Sequence, residues 1–376
     1  MSLGLILSSA IMLVLAAAAT ATAEEIGYND TKPIGIVSDS LREVHETFVK
    51  VIGQSRHVLS FSRFAHRYGK MYESAEEMKL RFSVYKENLG LIRSTNQKGL
   101  SYKLSLNKFA DMTGQEFQRH NLGDAKKYTA ALVGSRKLTE SAVLVGSQKL
   151  TVSAAAIPLT TGEKMELSAL SNSKELVALP RHSALEAAYH QAFGHRTDLS
   201  EQQLVDCAKD HGCSGGLPVQ AFRYIKDNGG ITNEASHPIT GRVGNCWSHR
   251  YVAVKLLDYV NITKGAELEL LRAVGLVRPV SVAIHVGRDF QFYRSGVFTS
   301  LTCLNTLKDA NHYVLAVGYG NQIALPYWIL KNSWGSDWGE SGYVRISRGV
   351  NMCGKLRFSV YYGRGVANNA VYPVMA

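Results

Sequence analysis

The sequence predicts an α+β protein of two lobes, a helical one followed by a β one with a cleft between them, and three observations predict it. First, helical signals cluster after Arg181: a helix from about Ser183 to Phe193, one capped by Ser200 with Glu201 in its first turn, and one from about Pro218 to Asn228. Second, the apolar runs beyond Tyr251 are strand-like. Val280 to Ile284, Tyr313 to Tyr319, Tyr327 to Lys331 and Gly342 to Ser347 are separated by Gly, Asn and Asp turns, as in a small antiparallel barrel or sheet. Third, a chain of 376 residues, 45% hydrophobic and 19% charged, has room for this unit and for an accessory segment ahead of it.

That segment is helical. Leu41 to Val51 and Phe61 to Tyr72 read as amphipathic helices, and a longer one runs from about Ser74 to Thr95. Within it Glu77, Arg81, Tyr85, Asn88 and Ile92 recur at offsets of four, four, three and four, which places them on one helical face. Ser101 to Leu106 then alternates as a short strand, followed by Asn107, Phe109 and Asp111. From about Gly123 to Pro180 the composition turns to Ala, Ser, Leu and Val. Here the octet starting at Leu132 recurs at Leu144, with Gln148 for Arg136, a period of twelve that marks a local duplication in a connector.

At the amino end, the apolar stretch from Leu3 to Leu15 and the small residues up to Ala23 read as a secretory signal, and no later apolar run is long enough to span a membrane. Secretion permits disulfides, and the five cysteines, Cys207, Cys213, Cys246, Cys303 and Cys353, are an odd number, so one lacks a partner within the chain. Asn29 and Asn261 head Asn-x-Ser/Thr glycosylation acceptors. The net charge of +11 is spread along the chain without a basic stripe interleaved with aromatics, so no nucleic-acid partner is read.

Two residues are placed for chemistry. His312 begins one buried strand and Asn332 ends another, so if the strands lie side by side, the amide fixes one imidazole nitrogen and leaves the other facing the cleft. A thiol protease needs its base and orienter arranged in this way, and Trp334 is positioned to shield the pair from water.

The run from Asn332 to Gly339, with Trp334 and Trp338, resembles the asparagine motif of papain-family cysteine proteases, and His312 matches their catalytic histidine. Glu77, Arg81, Tyr85, Asn88 and Ile92, with Asn107, Phe109 and Asp111 behind them, resemble the prosegment motifs of that family, with Ser105 standing where the second motif has glycine. The stretches Ala184 to Gln191, Leu199 to Cys207 and Ala273 to Val280 are most similar to the plant aleurain and cathepsin H branch. The resemblance implies a papain-like fold, with a helical left lobe and an antiparallel β-barrel right lobe, preceded by an inhibitory propeptide. It implies residues 1–23 as signal peptide, 24–122 as propeptide region, 123–180 as irregular connector and 181–376 as peptidase domain. It further implies disulfides Cys207–Cys246 and Cys303–Cys353, and peptide binding by Gly215, Gly216 and Trp334. The partners implied are a peptide or protein substrate, the chain's own propeptide and active relatives, in the vacuole, lysosome or cell exterior, with no cofactor and no metal.

One family feature is missing. Active members carry an oxyanion glutamine and a Cys-Gly-Ser-Cys-Trp stretch before the helix that here begins near Ala184, whereas this chain reads Leu176-Val-Ala-Leu-Pro180-Arg-His-Ser183. Aligned without a gap, Leu176 falls at the nucleophile and Pro180 inside the helix; alternatively, Ala178 to Pro180 is the usual mature start and the block is deleted. Neither alignment supplies a cysteine. The family pairs the loop cysteine, here Cys213, with the first cysteine of the missing stretch, so Cys213 is the one left unpaired. The expectation is a truncated peptidase domain with impaired or no catalysis, or a binding protein or inhibitor built from the same parts.

Overall fold

The computed structural model describes residues 39–122, 179–208, 216–246, 251–300, 310–349, 367 and 370–375. The chain forms two compact units, one of residues 1–98 with 105–116, the other of 99–104 with 117–376.

In the first unit three helices, α1 (Asp39–Ile52), α2 (Val58–Arg67) and α3 (Ala75–Gln97), surround Phe61. Its ring lies 5.2 Å from Phe48, 5.3 Å from Phe82 and 5.2 Å from Tyr85. The helix expected up to Tyr72 stops at Arg67, because Gly69 takes a φ of +58° and turns the chain away from helix. Tyr72 is thereby free to reach Asp111, donating its hydroxyl to Oδ2 at 3.2 Å. α3 begins within a residue of the expected start, capped by Ser74 Oγ, which accepts from Glu77 N at 3.1 Å. The five spaced residues do share a face. Arg81 bonds both oxygens of Glu116 at 2.9 Å, Asn88 donates to the carbonyls of Ala110 and Met112, and Tyr85 and Ile92 are buried.

Among the described residues the second unit has eight strands: β1 (Tyr102–Leu104), β2 (Leu256–Asn261), β3 (Val280–Ile284), β4 (Tyr293–Phe298), β5 (His312–Gln322), β6 (Leu325–Lys331), β7 (Tyr343–Ser347) and β8 (Val371–Met375). They are ordered β1-β4-β7-β6-β5-β3-β8-β2, all antiparallel except β4 with β7. Helix α4 (Gly114–Asn121) enters this unit at Phe117. α5 (Leu179–Phe193), α6 (Glu201–Cys207) and α7 (Pro218–Asp227) supply the helical part, and α8 (Glu267–Arg272) continues into a wide turn, Ala273–Val277.

Helices and sheet share one core: Ala184 and Leu185 of α5 pack with Leu204, Ala221, Phe222 and Ile225 of the helices and with Leu315 and Val371 of the sheet. α5 starts at Leu179, four residues before the expected Ser183, with Pro180 in its first turn, where no intrahelical N–H bond is lost. Strands β2, β4 and β8 and helices α4 and α8 were not foreseen from the sequence, whose polar and apolar residues alternate weakly there. β1 joins the sheet edge at β4. Gly296, at φ +92°, is required there, since a Cβ would lie 2.3 Å from Ser101 O.

Candidate active site

The register of β5 against β6 brings the two predicted residues together. Leu315 pairs with Lys331, so Asn332, the next residue, lies diagonally across from His312, the first residue of β5, on the same face. The bond forms as expected, between His312 Nε2 and Asn332 Oδ1 at 2.8 Å. The same Oδ1 accepts from Ser333 N at 2.8 Å, which identifies it as the amide oxygen. Nε2 therefore carries the proton, and Nδ1 keeps the lone pair that a general base needs.

Aromatic rings enclose this pair. Trp334 stacks on the imidazole at 4.9 Å and 23°, and Phe117, Phe290 and Trp338 meet Trp334 edge-on at 5.1, 5.8 and 4.9 Å. Trp338, fully buried, donates Nε1–H to Gln291 O at 3.1 Å. The turn carrying both tryptophans closes on Gly339, at φ +61°, where a Cβ would stand 2.5 Å from Tyr343 O. Burial at 3% exposure holds the His312 pKa down to about 4, against a smaller upward pull from the Asn332 bond, so the ring is neutral above that pH.

The other expected residues are distributed as follows. Cys207 and Cys246 form a disulfide. Gly216 is buried immediately before Leu217, the N-cap of α7. Asn261 is exposed at the end of β2. Gly215, Cys213, Cys303, Cys353 and Asn29 lie outside the described residues, as do the signal segment and the duplication. Among the described residues no cluster of side chains suits a metal ion, and no helix is long and apolar enough to cross a membrane.

Sequence reasoning missed Phe117 and Phe290, although the aromatic run Phe290-Gln-Phe292-Tyr293 was a visible signal for a second aromatic wall. It also missed the enclosed ionisable pair of Glu186 and Lys331, the latter the residue before Asn332. Enclosure raises the Glu186 pKa to about 7, offset in part by a bond from Leu199 N at 3.0 Å, and lowers that of Lys331 to about 8, partly opposed by the Glu186 charge.

The geometry agrees with what the chain is similar to. The pattern of papain family cysteine proteases matches residues 178–363, and that of the cathepsin propeptide inhibitor domain matches residues 61–117. A thiol protease aleurain-like protein of Arabidopsis thaliana is 54% identical, with 100% of each chain covered. A pro-cathepsin H of Medicago truncatula is 45% identical over 97% of this chain and 99% of its own length. Among solved structures, recombinant stem bromelain precursor superposes with a TM-score of 0.69 at 29% identity, covering 85% of this chain and 99% of its own. Digestive procathepsin L2 of Tenebrio molitor larval midgut gives 0.68 at 29%, covering 84% and 99%.

Proposed function

Since the chain belongs to the papain family of cysteine proteases, we propose that it is an aleurain and cathepsin H-like precursor of the secretory pathway whose peptide-bond hydrolysis is impaired by loss of its nucleophile. In this reading residues 1–23 are a signal peptide, 24–122 the propeptide region, 123–180 a connector and 181–376 a truncated peptidase domain acting in the vacuole, lysosome or cell exterior. His312 is the base, Asn332 its orienter, and Gly215, Gly216 and Trp334 hold an extended peptide. Cys303–Cys353 is a second disulfide, Cys213 is unpaired, and Asn29 and Asn261 accept glycans.

One observation carries the reading: the base and its orienter are built and shielded, yet the sequence has no cysteine before Cys207, which is itself tied to Cys246. Without a thiolate the imidazole has nothing to activate, and loss of a nucleophile removes most of the acceleration such a site provides. Purified protein, treated to remove the propeptide region, is expected to hydrolyse a fluorogenic peptide at the buffer rate, unchanged by His312→Ala. Turnover that His312→Ala abolishes would show an active enzyme instead.

A second reading is favoured by the inhibitor-domain match over residues 61–117 and by the packed aromatic core around Phe61. In it the chain restrains active relatives through its propeptide region. Added to an active aleurain-type enzyme, the full chain then inhibits at micromolar concentration; undiminished turnover rejects this reading.

A further inference from the structure

Helix α6 fastens an exposed segment of chain. Gln202 and Asp206 stand one turn apart on the same face of the helix, and Cys207 follows. Gln202, 1% exposed, uses both amide protons, one on Asp206 Oδ1 at 2.7 Å and one on Arg242 O at 2.9 Å. Its Oε1 accepts from Thr240 N at 2.8 Å. The Thr240 hydroxyl, with one proton for two acceptors, lies 3.0 Å from that oxygen and 3.1 Å from Arg242 O. Asp206 accepts from Gly244 N at 2.6 Å and from His237 Nε2 at 3.1 Å, and the Cys207–Cys246 disulfide closes the far end. Residues 240–246 are nevertheless all exposed, Val243 at 61%.

An exposed loop is where proteolytic nicking concentrates, and Arg242 supplies the side chain that an arginine-specific serine endopeptidase selects. Such an enzyme needs the scissile carbonyl oxygen turned into its oxyanion hole, where N–H groups stabilise the charge that develops on it. Here that oxygen is turned the other way, onto α6. We propose that Gln202 guards the Arg242–Val243 bond, holding its carbonyl inward so that arginine-specific serine endopeptidases do not cut the exposed segment. The guard acts whether or not the chain has a nucleophile of its own. For cleavage the carbonyl has to leave Gln202 and turn outward. That strands a buried amide N–H without its partner, and the bonds of Thr240 N and Gly244 N, with the disulfide, hold the segment against the rotation on both sides. Once released, the bond is open to ordinary hydrolysis. The enzyme's serine attacks the Arg242 carbonyl carbon, the Val243 nitrogen leaves with a proton, and water frees the acyl group as a carboxylate. The two ends then stay joined through Cys207–Cys246.

The test is limited digestion of the full chain by trypsin at about pH 8 with the disulfide intact, the initial cuts being identified by mass spectrometry after reduction. Arg196, exposed in the loop between α5 and α6, is the reference site. The full chain is expected to be cut after Arg242 about ten-fold or more slowly than after Arg196. Gln202→Leu removes the guard and leaves no buried amide in its place. It is expected to speed the cut after Arg242 about ten-fold or more, with the cut after Arg196 changed by less than about two-fold. Thr240→Val removes only a surface hydroxyl, is expected to gain about three-fold at Arg242, and decides the matter should Gln202→Leu fold poorly. A full chain cut as readily after Arg242 as after Arg196 overturns the guard, and so does a rate after Arg242 that neither variant changes. A rise of equal size at both sites also overturns it, since that reports a general loosening of the fold.

Discussion

The imidazole of His312 has a fixed proton inventory because one oxygen decides it. Asn332 Oδ1 accepts from both Ser333 N and His312 Nε2, so the tautomer with Nε2 protonated is the one the backbone enforces. Asn332→Ala removes that acceptor and leaves a buried ring N–H unpaired beside Trp334. The expected loss is about 1–3 kcal/mol of unfolding free energy, read as a lower denaturant midpoint with an unchanged slope. An unchanged midpoint would mean that another group satisfies Nε2. At this scale the sequence was informative, since both residues sit at strand ends and Trp334 stands two positions beyond Asn332. The aromatic wall was less legible, because Phe117 comes from a segment far away in the chain and no local pattern pairs it with Trp334.

Among the elements, the β5–β6 hairpin shows what local signals miss. The sequence reading ends one strand at Tyr319 and starts the next at Tyr327, because no Asn-Gly or Asp-Gly pair lies between them. The strands nevertheless continue until Gln322 pairs with Leu325, leaving a two-residue turn of Ile323 and Ala324 at φ +46° and +63°. Packing and pairing of the strands override turn propensity there, and a β-branched residue is held in the left-handed region at 93% exposure. The double substitution Ile323→Asn with Ala324→Gly supplies the residues this turn favours. It is expected to raise stability by roughly 1–2 kcal/mol and Tm by a few degrees, followed by differential scanning calorimetry. A lower Tm would show that the Ile323 side chain contributes more than its backbone costs. Helix ends were legible where a cap or glycine marks them, as at Ser74 and Ser200, whose hydroxyls accept from Glu77 N and Gln203 N. The start of α5 was not, since a proline inside a helical pattern reads as a boundary although the first turn tolerates it.

For the whole molecule, the arrangement of helices before strands was readable from periodicity, whereas the burial of opposed ionisable groups was not, because burial emerges only when distant segments close over a side chain. Two such groups act on stability with opposite sign. Glu186 is raised from 4.5 to about 7, so its contribution is fully present below about pH 4.5 and is lost as pH rises through 7. His312 is lowered from 6.5 to about 4, so its contribution is present above pH 6.5 and is lost as pH falls through 4. Between about pH 4.5 and 6.5 the two slopes, each near 1.4 kcal/mol per pH unit at the limit, cancel. Glu186→Gln removes one of them and leaves His312 unopposed, so stability relative to the parent is expected to fall by about 2–3 kcal/mol on going from pH 6.5 to 4.5. His312→Phe removes the other, and the relative stability is expected to rise by a similar amount over the same interval. Urea denaturation of the parent and both variants at pH 4.5, 5.5 and 6.5 measures this. Profiles that stay parallel across the three pH values would show that neither group is held in its neutral form by the fold.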